Sequence, residues 1–458
     1  MPAGCEQRWK ARRGAAECWS SSMKSADRHG IGHATEPVRM RRVALVAPRD
    51  ELRSALLALA EAGTVQLDRI SDEKPVADDE QVAKYVQAAV PHGEVAALTG
   101  WVPQAELADV ASRLGEIGGT ACPLPSPRGV DPPTLLPAGG QVRTSFSALV
   151  RTYGTVPYAD FDPTIPAGFA YVLMFGMMFG DAGHGLLLAG AALLLRAGRP
   201  GRFAQLRAAW PFVGAASVAA VVFGALYGEF FGPTGVLPVL WLAPLADPVR
   251  LLTAAVAVGA VLLAVAYAVA IVNRWREGGL QRAVYAASGV AGLAVFFGLG
   301  GVAAGVFLGA GALTATGGVV AGLGLVLAAI GFYSEAGGGA GAVAQAGVEV
   351  FDTVIRLGSN LFSFARLAAF GLTHAALGWL VWTATVNLWH AGGVDAVVGV
   401  VVFVVGNALA FALEALIAAI QALRLEFYEL FSRVFSGEGE PFRPWRLPAE
   451  HTDKEVMS

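Results

Sequence analysis

The stretch "SNLFSFARLAAFGLTHAALGWLVW" occupies residues 359–382 and puts one arginine, Arg366, into a helix otherwise compatible with lipid. Between Leu367 and Trp382 the one ionisable side chain is His374, so a short slide of the helix cannot carry Arg366 to water. A charge at the bilayer centre costs about 2.5 kcal/mol or more, so the guanidinium needs a partner or a polar cavity. The stretch thus points to a membrane fold with a functional charge inside it.

Composition agrees with the solvent implied there. The 458 residues are 55% hydrophobic and 15% charged, with a mean hydropathy of +0.54, too apolar for a soluble chain of this length. A net charge of -3 gives no footprint for nucleic acid. Cys5, Cys18 and Cys122 show neither metal spacing nor a disulfide framework and read as reduced cytoplasmic thiols.

The chain changes character near residue 165: Lys10, Lys24, Lys74 and Lys84 precede it, and no lysine follows until Lys454. Residues 1–39 lack the apolar run of about 7–15 residues that a secretory signal needs and read as a disordered leader, with Met40 of "MRRVALVAP" a candidate translation start. A small cytoplasmic α/β domain is expected over 40–130. Its elements are a strand at 42–47, a helix at 50–61, a strand at 64–68, a strand in "VAALTGWVP" and a helix at 104–117, with the charged "SDEKPVADDE" between. Residues 131–164 read as a linker to the membrane, 165–435 as the transmembrane domain and 436–458 as a cytoplasmic tail.

Past residue 165 eight apolar segments occur, at 165–179, 182–196, 208–228, 251–272, 285–308, 312–333, 347–388 and 396–432. Most approach the ~20 residues of a helical span, the first two being short and interrupted by "GDAGHG". The loops after the second and fourth segments carry Arg196, Arg199, Arg202 and Arg207, and Arg274, Arg276 and Arg282. The positive-inside rule puts these loops, and with them both termini, in the cytoplasm. The expected fold is a polytopic α-helical membrane protein with about eight transmembrane helices, preceded by the small α/β domain. Its seventh and eighth segments exceed the ~30 Å hydrocarbon core, the seventh reaching roughly 60 Å as one helix, so both must tilt or project.

Both long segments carry the charges that the others lack. At ~100° per residue, Asp352, Ser359, Ser363, Arg366 and Thr373 fall within about 60° of one another, and Glu414, Gln421, Arg424 and Tyr428 form a second stripe. Such stripes face a cavity or each other. A static lock, Arg366 with Glu414 and Asp352, is the plainer alternative. His374 suits either helix packing or a path lining, and Arg433, near the helix end, suits snorkelling to the surface. Asp181 and His184 belong to a tight turn between two short helices near an exit path. A phosphate cradle would need a preceding strand, so neither a phosphate or metal site nor a cofactor is expected.

Several motifs occur in a fixed order: "FGMMFGDAGHG" at 175–185, "GALYGEFFG" at 224–232, "SNLFSFARL" ending at Leu367, and "ALRLEFYELFSRVF" followed by "PFRPW". With "VPQAELADV" after Trp101 and "YADFDPT" before the first span, they resemble the membrane subunit of V/A-type rotary ATPases, subunit a, or subunit I in prokaryotes. The resemblance implies two long tilted helices embracing a rotating proteolipid ring. It matches Arg366 to the family's indispensable arginine, Arg424 to its second arginine and Glu414 to an acid ten positions earlier. Asp352 and His374 fall on positions polar in the family. Arg366, Arg424 and Glu414 would carry ion translocation; Asp352, Ser359, Ser363, His374, Gln421, Asp181 and His184 would line the path. Partners would be the proteolipid ring, central and peripheral stalk subunits, and lipid.

One feature departs from the family. A long antiparallel coiled coil between the two α/β units holds the peripheral stalks in family members, whereas here about 28 residues separate Asp68 from Ala97. Peripheral contact is therefore in question. Two other classes stay open: a proton-coupled secondary transporter, disfavoured because no internal repeat is evident, and a non-conducting membrane scaffold.

Overall fold

A computed structural model describes residues 36–68, 78–127, 129–137, 139–198, 206–435 and 439–446. Most of the expected leader (residues 1–35), most of the charged linker and the end of the tail lie outside the described residues. The chain divides into two compact units.

The first unit is an antiparallel sheet with helices. Strands β1 (Met40–Pro48), β2 (Gln66–Leu67), β3 (Val90–His92), β4 (Val95–Pro103) and β5 (Thr120–Pro123) alternate with helices α1 (Leu52–Ala62), α2 (Asp78–Ala88) and α3 (Leu107–Glu116). The order β2-β4-β1-β5, with β3 extending β4, interleaves the two βαβ halves into one sheet of ferredoxin-like order. The β1–β4 register runs from Met40 opposite Pro103 to Pro48 opposite Val95. Helix α1 buries Leu52, Ala55, Leu56, Leu59 and Ala60, the spacing of one helical face, and ends where Gly63 turns left-handed. Burial of each leucine contributes roughly 1.5–3 kcal/mol. Trp445, from the "PFRPW" motif, closes this core: its ring packs edge-on to Tyr85 and its Nε1 donates to Leu56 O at 3.1 Å.

The second unit is helical: α4 (Gln141–Tyr153), α5 (Thr164–Met178), α6 (Ala182–Ala197), α7 (Trp210–Tyr227), α8 (Pro248–Tyr285), α9 (Val290–Phe307), α10 (Gly311–Glu335), α11 (Ala340–Ser363), α12 (Ala365–Ala391) and α13 (Gly393–Leu425). Among the described residues six helical stretches are long and apolar enough to cross a membrane, and α5 and α6 are shorter apolar helices. The molecule is a polytopic helical membrane protein with a small α/β sheet domain. Helices α9 and α10 form a close hairpin because Gly298 lies against the backbone of Ala321, where no larger side chain fits. Within the stretch read as a linker, α4 forms, and its Arg143 pairs with Asp162 of "YADFDPT". The Asp162 carboxylate also accepts from Thr164 N at 2.9 Å, at the entry to α5.

The two long segments are resolved differently from single rods. The stretch Ala340–Ala391 spans 52 residues but breaks at Phe364. There the Phe364 and Leu367 amides bond carbonyls three residues back, and the buried ring presses on Gly259 of α8. The last stretch ends in a π-helical segment, Glu426–Phe431, before Ser432–Val434.

Candidate functional site: two buried polar sets along one helix

The first set assembles around the α5–α6 turn. Asp181 caps α6: its Oδ1 accepts from His184 N at 2.9 Å and Phe231 N at 3.0 Å, and its Oδ2 accepts from Gly232 N at 2.8 Å. Gly224 lets α7 reach this turn, since a Cβ there would meet the backbone of Asp181 and Ala182. Among the described residues Phe231 alone combines a side chain with a left-handed backbone, at φ 54. Such a residue carries of order 1–3 kcal/mol of strain, which its hydrogen bond to Asp181 offsets while the ring packs edge-on to His184.

Helices α12 and α13 complete this set. His374 Nδ1 is hydrogen-bonded to Glu414 Oε2, and the imidazoles of His184 and His374 are 5.6 Å apart. Asp181, His184, Glu229, His374, Asn407 and Glu414 are all buried, with Phe179 and Phe411 against the His184 ring. The ligating atoms of Asp181, His184 and His374 lie within 4.8 Å of one another. Both ring nitrogens of His184, and Oε1 of Glu414, have no hydrogen-bond partner among the described residues. Polar groups left so in an apolar shell favour water or an ion beside them.

The second set gathers around Arg366, at the start of α12. Its Nη2 stands 4.0 Å from Glu429 Oε1, its side chain is 28% exposed, and its Nη1 is buried with no hydrogen-bond partner among the described residues. Oriented by its neighbours, the Asn360 amide donates to Glu429 Oε2 at 2.9 Å and accepts from Arg433 Nη2 at 2.8 Å. Arg433 also stacks over the buried Tyr267 ring and donates to its hydroxyl at 2.8 Å. The expectation that Arg433 snorkels is corrected here, because two inward acceptors hold it.

The static lock does not form. Glu414 is engaged by His374, and Asp352 pairs with Arg356 one turn along its own helix. Ser363 Oγ donates to Ser359 O at 3.1 Å; Ser359, Thr373, Arg424 and Tyr428 are exposed, and Ser363 is half-buried. Gln421 has a buried Oε1 with no hydrogen-bond partner among the described residues. The chain therefore brings Asp181, His184, His374 and Glu414 together, and leaves Asp352, Ser359 and Arg424 facing outward. Sequence reading missed Glu229, Asn360, Asn407 and Glu429. Glu229 and Glu429 were inside quoted motifs, but at ~100° per residue Glu429 is about 140° from Arg424 and off the stripe. The π segment, which breaks the α-helical period, carries it inward.

Residues 80–201 match the model of the V-type ATPase 116kDa subunit family. The A-type ATP synthase subunit I of Pyrococcus horikoshii is 26% identical over 375 residues, covering 78% of this chain and 55% of the relative. That of Aeropyrum pernix is 29% identical over 429 residues, covering 80% and 60%. The V-type ATP synthase subunit I 2 of Treponema pallidum is 36% identical over 146 residues, 29% of this chain and 32% of the relative. The chain spans little more than half the length of the archaeal relatives it matches. Together with the membrane helices, these matches make the chain similar to the subunit I proteins of V/A-type ATPases.

Proposed function

We propose that this chain is the ion-translocating stator subunit of a rotary ATPase, working against a ring of small proteolipids in a prokaryotic plasma membrane. One observation carries the reading: buried polar groups gather at two levels of α12, Glu429 and Asn360 near Arg366, and His374 and Glu414 about 12 Å further along at ~1.5 Å per residue. The arginine-rich loops favour cytoplasmic termini, with the α7–α8 loop on the opposite side.

The chemistry follows from the solvent. A ring carboxyl crosses lipid neutral, because an isolated carboxylate there is prohibitively costly. Beside Arg366 the charged form is favoured, so the carboxyl releases its proton to one half-channel and takes one from the other. Arginine suits the task because it stays protonated where lysine can lose its charge. Its fixed charge also blocks a direct leak between the half-channels. The set of Asp181, His184, His374 and Glu414 would line one half-channel. Asp352, Ser359, Ser363 and Gln421 would line the approaches, and Arg424 would face the ring as a second positive charge.

The test is transport in reconstituted vesicles. Arg366→Gln and Arg366→Lys are expected to abolish ion translocation while the complex still assembles, as read by copurification of the ring. Normal transport by either variant overturns the central role and leaves the scaffold reading.

A further inference from the structure

We propose that Asp181, His184 and His374 form a binding site for a divalent cation of the zinc class. Three observations independent of the transport reading converge on it. The donor set is two imidazoles and a carboxylate with ligating atoms within 4.8 Å, the combination that borderline-soft metals take with one position left open. His184 is 2% exposed with neither ring nitrogen hydrogen-bonded among the described residues; Asn407 stands close, but its amide nitrogen donates to Phe403 O. Glu414 holds His374 Nδ1, leaving Nε2 as the ligating atom. A carboxylate on the far nitrogen of an imidazole is how metal-bound histidines are oriented.

Charge points the same way. Asp181, Glu229 and Glu414 put three carboxyls around two imidazoles in a shell of Phe179, Phe231 and Phe411. A cation there would offset the cost of carboxylates in an apolar surround. Asp181 spends three lone pairs on backbone amides and retains one on Oδ2, since a carboxylate accepts about four hydrogen bonds. The turn is thus fixed before the metal arrives. Sequence reading expected no metal here; "GDAGH" by itself supplies two donors, and the third lies on α12, 190 positions after His184.

The site gives the path a second ligand. Zinc would occupy the nitrogens and oxygens through which protons pass, and binding needs them deprotonated, so metal and protons compete. The test is zinc titration of the full chain in detergent against a competing chelator. One equivalent should bind. His184→Ala and His374→Ala should each weaken binding at least tenfold, and Glu414→Gln ten- to hundredfold as an orienting partner. His390→Ala, at the exposed end of α12, should leave binding unchanged. Zinc-edge absorption of the unmodified chain, which needs no variant to fold, should show two imidazoles, oxygen and no sulfur. Substoichiometric binding, indifference to His184→Ala, or sulfur ligation overturns the site. Zinc that binds as described yet leaves transport untouched would instead overturn the placing of His374 and Glu414 in the ion path, so the two failures are distinguishable.

Discussion

Glu414 shows how one side chain can be both held and available. One oxygen is fixed by His374 and the other faces no protein donor among the described residues. A group fixed on one side and open on the other can pass a proton without losing its position, which general acid–base transfer requires. Glu414→Gln keeps the size and one acceptor but removes the titration. Transport by that variant is expected to slow and its pH dependence to shift, measured as initial proton uptake in vesicles from pH 5.5 to 8.5. A variant with an unshifted profile would reduce Glu414 to a packing partner of His374. The residues legible in sequence were those whose charge is anomalous for lipid, Arg366, His374 and Glu414. Asn360 and Asn407 were not, because an uncharged amide acquires meaning only from what stands opposite it.

At the scale of elements, the apolar runs fell on each of the long apolar helices, since lipid forces each span to satisfy its own backbone, but they stopped 13 residues short of the end of α8 at Tyr285 and began seven residues inside α11, where polar residues continue the helix. The same period missed what interrupts it: the turn at Phe364 and the π segment Glu426–Phe431. Helix α4 escaped notice because proline-rich flanks and few apolar residues hid its amphipathic face, which buries Phe146, Leu149 and Val150. The entry to α5 carries a pH-sensitive element. Asp160 is fully buried, and burial together with the Glu277 carboxyl pushes its pKa from 3.8 up to about 7. A carboxyl whose folded pKa lies above its unfolded one binds its proton more tightly when folded. The attached stability is full below about pH 4 and is lost as pH rises through about 7. Asp160→Asn mimics the neutral form at every pH. Thermal midpoints of the detergent-solubilised chain at pH 5 and pH 8 should therefore fall more for the unmodified chain than for the variant, and equal falls would remove Asp160 from the account.

For the whole molecule, the decisive dimension is the reach of the soluble unit. The proposed stator must resist the torque of a turning ring; the resemblance implies that V/A-type subunits do so through stalks held by a long coiled-coil arm. Here α2 has 11 residues, about 16 Å at ~1.5 Å per residue, and leads directly into β3, which pairs with β4. It is also tied down: Val82 is buried in the sheet core and Tyr85 packs on Trp445. A helix committed to its own domain cannot project as half of an antiparallel arm. The expected consequence is a subunit that engages the ring through α12 and α13 while its stalk contacts are confined to the sheet domain around Trp101. Crosslinking mass spectrometry of the complex from native membranes measures this. Links from proteolipids to the faces bearing Ser359, Thr373 and Arg424 should dominate, and links from stalk proteins to residues 69–96 should be scarce. Abundant stalk links within 69–96 would mean that a short segment does what the long arm does in its relatives, and the torque would then pass through it.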